Sequence, residues 1–246
     1  MKITESSNPA KNGFKNTKAA DISAQAMTAK GSTNKTLFLL AILIISSLAS
    51  WKIVAANPSL AMPFMWGGLI VGFIVAIVTV FKPNISPITG PIYAVVEGGV
   101  VGTLTLMFES SYPGIGLQAL FITVGIFVGM LLLYGYRIIR VTDKFKKIVV
   151  GLTFGIMIVY LISIIANLFG TPVPYIHEGG AVGIGFSLFV IAIAAMNLLL
   201  DFNFIEEGEK NRLPQYMEWF GAFMLLVTII WLYLEVLKLL AKVRGD

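Results

Sequence analysis

The sequence contains no cysteine and a single histidine among its 246 residues. The absence of cysteine excludes disulfide bonds, thiolate metal sites and cysteine nucleophiles. A single imidazole excludes the zinc centres that membrane hydrolases build from several histidines. No nucleophile elbow, dinucleotide-binding glycine motif or P-loop is recognisable either. We therefore predict that the chain is not an enzyme.

Charged residues are also scarce, at 13% of the chain, whereas hydrophobic residues make up 57%. A soluble domain carries about 25% charged residues to cover its surface. The surplus of apolar side chains must therefore face lipid. The net charge of +5 does not indicate a nucleic-acid partner, because Lys and Arg fall mainly between the apolar runs, as membrane topology requires.

Seven apolar runs follow one another, each close to the ~20 residues that a helix needs to cross a ~30 Å hydrocarbon core. The predicted spans are residues 37–56, 61–81, 91–108, 115–136, 148–169, 181–201 and 217–240. Helices are expected because a barrel strand is about half as long and alternates polar with apolar residues. The sequence predicts an all-α integral membrane protein, a seven-transmembrane-helix bundle over residues 37–246.

Residues 1–36 hold six lysines and few large hydrophobic residues, which predicts a disordered basic cytoplasmic tail. With the N-terminus inside, fourteen of the 18 Lys and Arg residues face the cytoplasm, in agreement with the positive-inside rule. We expect a multi-pass protein of the cell (inner or plasma) membrane. Lys238, Lys242 and Arg244 fall on the outer side and depart from this bias.

Glycines four residues apart recur in five places. The pairs are Gly68 and Gly72, Gly98 and Gly102, Gly125 and Gly129, Gly151 and Gly155, and Gly179 and Gly183. Small residues at this spacing let helix backbones approach closely. Packing within one bundle is the favoured interpretation and a dimer interface is the alternative, so the oligomeric state stays open.

Four acidic residues fall within the predicted spans, where an ionisable side chain costs on the order of 3 kcal/mol. They are Glu97, Asp201, Glu218 and Glu235. Three polar residues share a helix face with an acid and are predicted to support it. These are Tyr93 beside Glu97, Asn197 beside Asp201, and Thr228 beside Glu235. Tyr160 belongs to a polar face of the fifth span, which favours hydrogen bonding between helices.

Each acid also has a structural interpretation. Asp201 can mark the end of a helix at the membrane surface, and Glu218 can be an interfacial anchor. Glu235 can form an ion pair with Lys238 three residues later. Glu97 can make a buried hydrogen bond within the bundle.

Two acids that share a dry site hold one proton between them, because like charges a few ångströms apart cannot both ionise cheaply. When protonated, such a pair joins two helices by a hydrogen bond. When deprotonated, it repels or captures a cation, and carboxylate oxygens are ligands that Ca²⁺ prefers.

The stretch LLLDFNFI at residues 198–205 and the later WLYLE at 231–235 resemble the paired signature of the Bax inhibitor-1 family. That signature reads L-x-D-x-N/T-x-I on the sixth helix and L-Y-L-D on the seventh. YPGI at residues 112–115 and YMEW at 216–219 are similar to a bacterial branch of the family.

The resemblance implies a bundle with the last helix at its centre and a calcium leak controlled by pH through two acids. It assigns these roles, and transient Ca²⁺ binding, to Asp201 and Glu235. Glutamate replaces the family's aspartate at position 235, and the two acids lie further apart in sequence than in the family pattern. At 1.5 Å per residue, Asp201 lies ~9 Å before the predicted turn, Glu218 ~6 Å after it and Glu235 ~31 Å after it. Geometry thus favours Glu218 as the partner, the motif favours Glu235, and both stay open.

These observations predict a pH-sensitive calcium (cation) leak channel in the lipid bilayer, gated by Asp201 and an acid of the last span. Glu97 is a secondary acid of the pore or of the helix packing, and Ca²⁺ is the transported ion with no cofactor. The alternative is a non-transporting regulator that binds membrane proteases or other membrane proteins. A proton-coupled transporter is disfavoured because no inverted repeat is recognisable.

Overall fold

The computed structural model describes residues 26–170 and 180–245 of the chain. These residues form seven helices that are long and apolar enough to cross a membrane. The helices are α1 (Ala29–Ala56), α2 (Ala61–Phe81), α3 (Ser86–Ser111), α4 (Ile115–Gly135), α5 (Asp143–Leu168), α6 (Ala181–Lys210) and α7 (Met217–Gly245). They correspond one for one to the predicted spans, which confirms the seven-helix bundle.

Two helices extend well beyond their apolar runs. α1 begins at Ala29, where the Thr28 hydroxyl caps it by accepting a hydrogen bond from the Gly31 amide at 2.9 Å. The predicted boundary at residue 36 is thereby corrected, because residues 29–36 are helical. α6 continues for nine residues past its predicted end at Asp201. Residues 1–25 and His177 lie outside the described residues.

α7 occupies the centre of the bundle and packs against α1, α3, α4 and α6. It is the most buried of the seven helices and α2 is the least. Phe223, Leu226 and Leu232 of α7 are almost fully enclosed by the surrounding helices. The resemblance to the Bax inhibitor-1 family implied this central position for the last helix.

Two of the five glycine pairs lie where α3 packs closely against its neighbours α1 and α2. A Cβ atom on Gly98 would lie 2.6 Å from the Leu43 carbonyl oxygen of α1, and one on Gly102 would lie 2.1 Å from that of Ser47. On the α2 side the close contacts are with side chains of α3, because a Cβ atom on Gly68 would lie 2.3 Å from Val100 and one on Gly72 2.3 Å from Glu97. These pairs act within the bundle, as the favoured interpretation predicted.

The other glycines of this spacing have open surroundings. A Cβ atom at Gly125, Gly129, Gly151 or Gly155 would meet nothing within 4 Å. Packing inside the bundle therefore does not account for these pairs, and Gly179 lies outside the described residues.

Exposed ion pairs link α6 to the α4–α5 connection and to α5 at one end of the bundle. The Glu206 carboxylate accepts hydrogen bonds from Arg137 and Lys210, each at 2.5 Å, and the first of these raises the pKa of the Arg137 guanidinium. Lys146 of α5 pairs with Glu207 at 2.8 Å. Exposed pairs contribute about 0–1 kcal/mol each, so this network orients helix ends and does not hold the bundle together.

We expect Gly102→Ala to lower the apparent melting temperature of the protein in detergent, measured by circular dichroism. The added methyl collides with the Ser47 backbone, and overpacking of this kind costs about 1–3 kcal/mol. Gly125→Ala is the matched control, because its methyl meets open space and alanine favours the helix by about 1 kcal/mol. Equal melting temperatures for the two variants would contradict the packing described for α1 and α3.

Candidate functional site

Asp201 lies in the interior of α6, nine residues before the helix ends at Lys210, and is 5% exposed. The predicted helix-end interpretation of Asp201 is therefore wrong. Thr228 of α7 donates a hydrogen bond to it, with 2.6 Å between Thr228 Oγ1 and Asp201 Oδ2. The side chain that the sequence suggested as a support for Glu235 is thus the direct partner of Asp201.

The Thr228 hydroxyl faces two acceptors, because its oxygen also lies 3.2 Å from the Met224 carbonyl oxygen. A hydroxyl carries one hydrogen and therefore donates to one acceptor at a time. If Asp201 is ionised, the two acceptors compete for that hydrogen. If Asp201 is protonated, it donates to Thr228, which in turn donates to Met224, so both hydrogen bonds form. One proton therefore changes how α6 and α7 are joined.

Glu235 lies deep in the bundle, at 1% exposure, with two other partners. Tyr160 of α5 donates a hydrogen bond to it at 2.8 Å, and Lys238 forms an ion pair with the same carboxylate oxygen. The predicted ion pair with Lys238 is confirmed, as is the interhelical hydrogen bonding expected of Tyr160. Within the described residues, Glu235 forms no hydrogen bond with Asp201.

Glu218 joins the start of α7 to the start of α1. It accepts hydrogen bonds from the Thr28 amide and the Thr28 hydroxyl, both at 2.8 Å, and forms an ion pair with Lys35. Its side chain is buried, so it anchors helices to each other.

Helix register explains why the depth count favoured the wrong residue. The depth count placed the predicted turn between Glu207 and Pro214, whereas α6 ends at Lys210 and α7 begins at Met217, three residues later in each case. Asp201 is then ~13 Å from its helix end, and Thr228 lies at a similar depth, ~16 Å into α7. Glu218 lies at the helix start, far from the level of Asp201.

Glu97 of α3 faces α2 across a glycine. Its Oε1 atom occupies the space beside Gly72, where a Cβ atom would lie only 2.3 Å away. No donor within residues 26–170 and 180–245 forms a hydrogen bond with this carboxyl, so the predicted hydrogen bond is absent there. Tyr93, one turn earlier, packs its ring on Phe223 with 5.0 Å between centroids.

A row of polar contacts follows the α6–α7 interface and its border with α5. At one end Thr228 meets Asp201, and at the other Lys242 donates to Ser187 at 2.9 Å. The two contacts are fourteen residues apart on both helices, or ~21 Å, so one antiparallel register places both. Glu235 lies between them. We call these contacts, with the Asn197–Thr153 bond described next, the polar seam.

Asn197 contributes to the seam through α5. Its amide nitrogen donates to Thr153 Oγ1 at 2.8 Å and to the Ile193 carbonyl oxygen at 2.9 Å. It therefore supports the helix packing near Asp201 without bonding that residue. Thr153, Ser187 and Lys242 were not identified from the sequence, because single hydroxyls and a terminal lysine carry no distinctive spacing.

The seam does not resemble a resident metal site. Among the described residues, no group of three or more His, Asp or Glu side chains could hold a metal ion. Ca²⁺ requires six to eight oxygen ligands. Asp201 offers one carboxylate beside one hydroxyl, and Lys238 neutralises Glu235. These two sites thus supply fewer oxygen ligands than a resident Ca²⁺ ion needs.

We expect Glu218→Gln to lower the apparent melting temperature in detergent, because it leaves the Lys35 charge without its carboxylate. Breaking a largely buried pair costs roughly 3 kcal/mol. Glu207→Gln makes the same chemical change in an exposed pair and is expected to cost less than about 1 kcal/mol. The same loss in both variants would show that Glu218 does not anchor α1.

Comparison with known proteins agrees with the architecture. The model of a family described as Bax inhibitor 1 like matches residues 6–245, a range that includes every residue of the polar seam. NADH-ubiquinone oxidoreductase chain 6 of Equus caballus is 29% identical over 166 residues, which cover 68% of this chain and 89% of that one. Chains with several membrane spans share an apolar composition, so this second likeness assigns no activity. This chain belongs to the Bax inhibitor 1 like family.

Proposed function

We propose that this protein is a pH-sensitive cation leak of the Bax inhibitor-1 type, with Ca²⁺ as the cation and the Asp201–Thr228 contact as its gate. The observation that carries the proposal is a buried carboxyl between two helices whose partner is a hydroxyl. A hydroxyl cannot neutralise an ionised carboxylate, so the charge state of Asp201 bears directly on the α6–α7 interface.

The protonated carboxyl joins the helices through two hydrogen bonds, from Asp201 to Thr228 and from Thr228 to Met224. The ionised carboxyl competes for the same hydrogen and carries a charge in an apolar interior. Water or a cation that enters between α6 and α7 relieves that cost, which favours a separated, conducting arrangement. We therefore expect the leak to be closed at low pH and open at high pH.

The role of Glu235 changes in this proposal. Lys238 neutralises the charge of Glu235, and Tyr160 donates a hydrogen bond to its carboxylate. Glu235 therefore fixes α5 against α7, and Asp201 is the gating acid. Glu97 remains the secondary acid, since its carboxyl has no hydrogen-bond donor among the described residues and faces α2, the least buried helix.

The proposed orientation places the N-terminus in the cytoplasm of a cell whose inner or plasma membrane holds the protein. The charge bias supports it, with fourteen of the 18 Lys and Arg residues on that side. Asp201 then lies nearer the cytoplasmic end of α6, and Ser187 nearer the outer end.

In liposomes that contain a calcium dye, we expect several-fold faster Ca²⁺ entry at pH 8 than at pH 6. Asp201→Asn stays neutral and can still donate to Thr228, so we expect slow entry that is independent of pH. Thr228→Val removes the hydroxyl from the contact, and we expect fast entry at both pH values.

Two control variants separate gating from general charge effects. Glu207→Gln removes an exposed carboxylate from α6 and is expected to keep the pH response. Glu235→Gln tests the family's second acid and should also keep it. Equal entry at pH 6 and pH 8 in the unmodified protein, or an unchanged response in Asp201→Asn, would refute the gate.

One observation favours the second candidate, a regulator that binds membrane proteases or other membrane proteins. Lys242 lies along the polar seam beyond Asp201, and its positive charge opposes the passage of a cation. If the protein is a regulator, its effect comes from its surfaces and not from ion flow.

Deletion of residues 1–25 distinguishes the two functions, because it leaves the Thr28 and Lys35 contacts of α1 in place. A regulator that docks through its basic tail should lose its effect on membrane proteolysis in cells. A leak should retain its flux in liposomes. Unchanged proteolysis together with full flux would eliminate tail-mediated regulation.

A further inference from the structure

A cavity of about 450 Å³ separates α1 from α4, and α3 and α7 form its floor. Its walls are apolar and include Leu40, Leu43 and Phe127. The side chains at its rim are exposed, among them Leu48 of α1 and Leu120 of α4. Both rims belong to membrane-spanning helices, so the cavity opens sideways toward lipid. We call it the α1–α4 groove.

The groove has the depth of one lipid leaflet. It is lined from Leu40 to Trp51 along α1 and from Gly116 to Phe127 along α4, eleven residues or ~16 Å on each helix. Half of a ~30 Å hydrocarbon core is ~15 Å. Its shallow end lies at the α3–α4 connection, where the bilayer meets water. These dimensions match one acyl chain of a lipid.

The polar groups at the shallow end offer acceptors. The Glu109 carboxylate accepts hydrogen bonds from the Gly114 amide at 2.5 Å and from the Gly116 amide at 3.0 Å, one on each oxygen. A carboxylate has about four acceptor positions, so each oxygen retains capacity toward the groove.

Tyr233 of α7 supplies a second acceptor further along the groove. Thr105 donates its only hydrogen to the Val101 carbonyl oxygen at 2.7 Å. The 2.9 Å contact between Thr105 and Tyr233 is therefore a donation from the Tyr233 hydroxyl. The phenolic oxygen keeps its lone pairs for another donor. An occupant of the groove must thus bring hydrogen-bond donors at its polar end.

We propose that the α1–α4 groove binds a phospholipid with a primary ammonium headgroup, namely phosphatidylethanolamine. One acyl chain fills the apolar groove, and the ammonium group donates to Glu109. Arg244, which donates to the Pro113 carbonyl oxygen at 3.0 Å and to Gln118 at 2.7 Å, places a positive charge beside the same connection, where the lipid phosphate lies. The ammonium group thus lies beside the Glu109 carboxylate, and the phosphate lies beside the Arg244 guanidinium.

Native mass spectrometry of the purified full-length protein tests this assignment. The protein is equilibrated in micelles with equal amounts of phosphatidylethanolamine and phosphatidylcholine that carry the same acyl chains. Phosphatidylcholine keeps the positive charge but has no N–H donor. We expect about tenfold more phosphatidylethanolamine to remain bound, since donors to a carboxylate form the stronger class of hydrogen bond.

Four variants test whether the lipid binds in the α1–α4 groove. Glu109→Gln should bring the ratio of the two lipids close to one. Tyr233→Phe keeps the ring, and it should lower the ratio several-fold even if Glu109→Gln does not fold. Leu120→Trp fills the groove and should reduce both lipids. Leu131→Trp is its control, because this leucine has the same 44% exposure on α4 but lies outside the lining.

Three results would overturn the proposal. Equal retention of both lipids by the unmodified protein would exclude recognition of the ammonium group. Unchanged lipid binding in Leu120→Trp would exclude the groove as the binding place. If the mass spectrum showed dimers without bound lipid, the groove would be the binding place of a second copy of the chain.

Discussion

The constraint on which this structure depends is the cost of an ionised carboxyl in hydrocarbon, and the four acids of the predicted spans meet it in different ways. Glu218 and Glu235 each face a lysine, so their charges are neutralised and they hold helices together at any pH where both partners are ionised. Asp201 has a hydroxyl as its partner, and Glu97 has no hydrogen-bond donor among the described residues. Within that part of the chain neither of these two acids pairs with a basic side chain, so a proton or an ion from outside the protein must neutralise them. We therefore assign the function to these acids and not to the ion pairs.

The sequence predicted the number and place of the helices well, because span length and hydropathy are local properties. It also identified all four buried acids and Thr228. The sequence did not predict which side chains pair across helices. This pairing depends on the residue at which each helix ends, and polar residues at a helix end do not mark that position. α6 continues for nine residues after Asp201 and α7 begins only at Met217, and this register places Thr228, not Glu218, beside Asp201. Tyr160 was recognised as polar, but its contact with Glu235 depends on how α5 packs, which is a tertiary property.

The basic C-terminus, which departs from the positive-inside bias, has a structural explanation. Lys238 neutralises Glu235, Lys242 binds Ser187 and the Gly183 carbonyl oxygen, and Arg244 binds the α3–α4 connection. Each of these basic groups has a partner within the protein. They fix the last turns of α7 against α4 and α6, so their position follows from bundle packing.

The central place of α7 connects the two proposals. Thr228 and Tyr233 are five residues apart on this helix, or ~7 Å along its axis, and they belong to the gate and to the α1–α4 groove respectively. A lipid that binds the groove more tightly in one arrangement of α7 must favour that arrangement, and by thermodynamic linkage the charge state of Asp201 must then alter lipid affinity equally. Since α7 also packs against α1 and α3, movement at Thr228 cannot remain confined to α6. A single buried proton can thus act on the whole bundle because its partner belongs to the most buried of the seven helices.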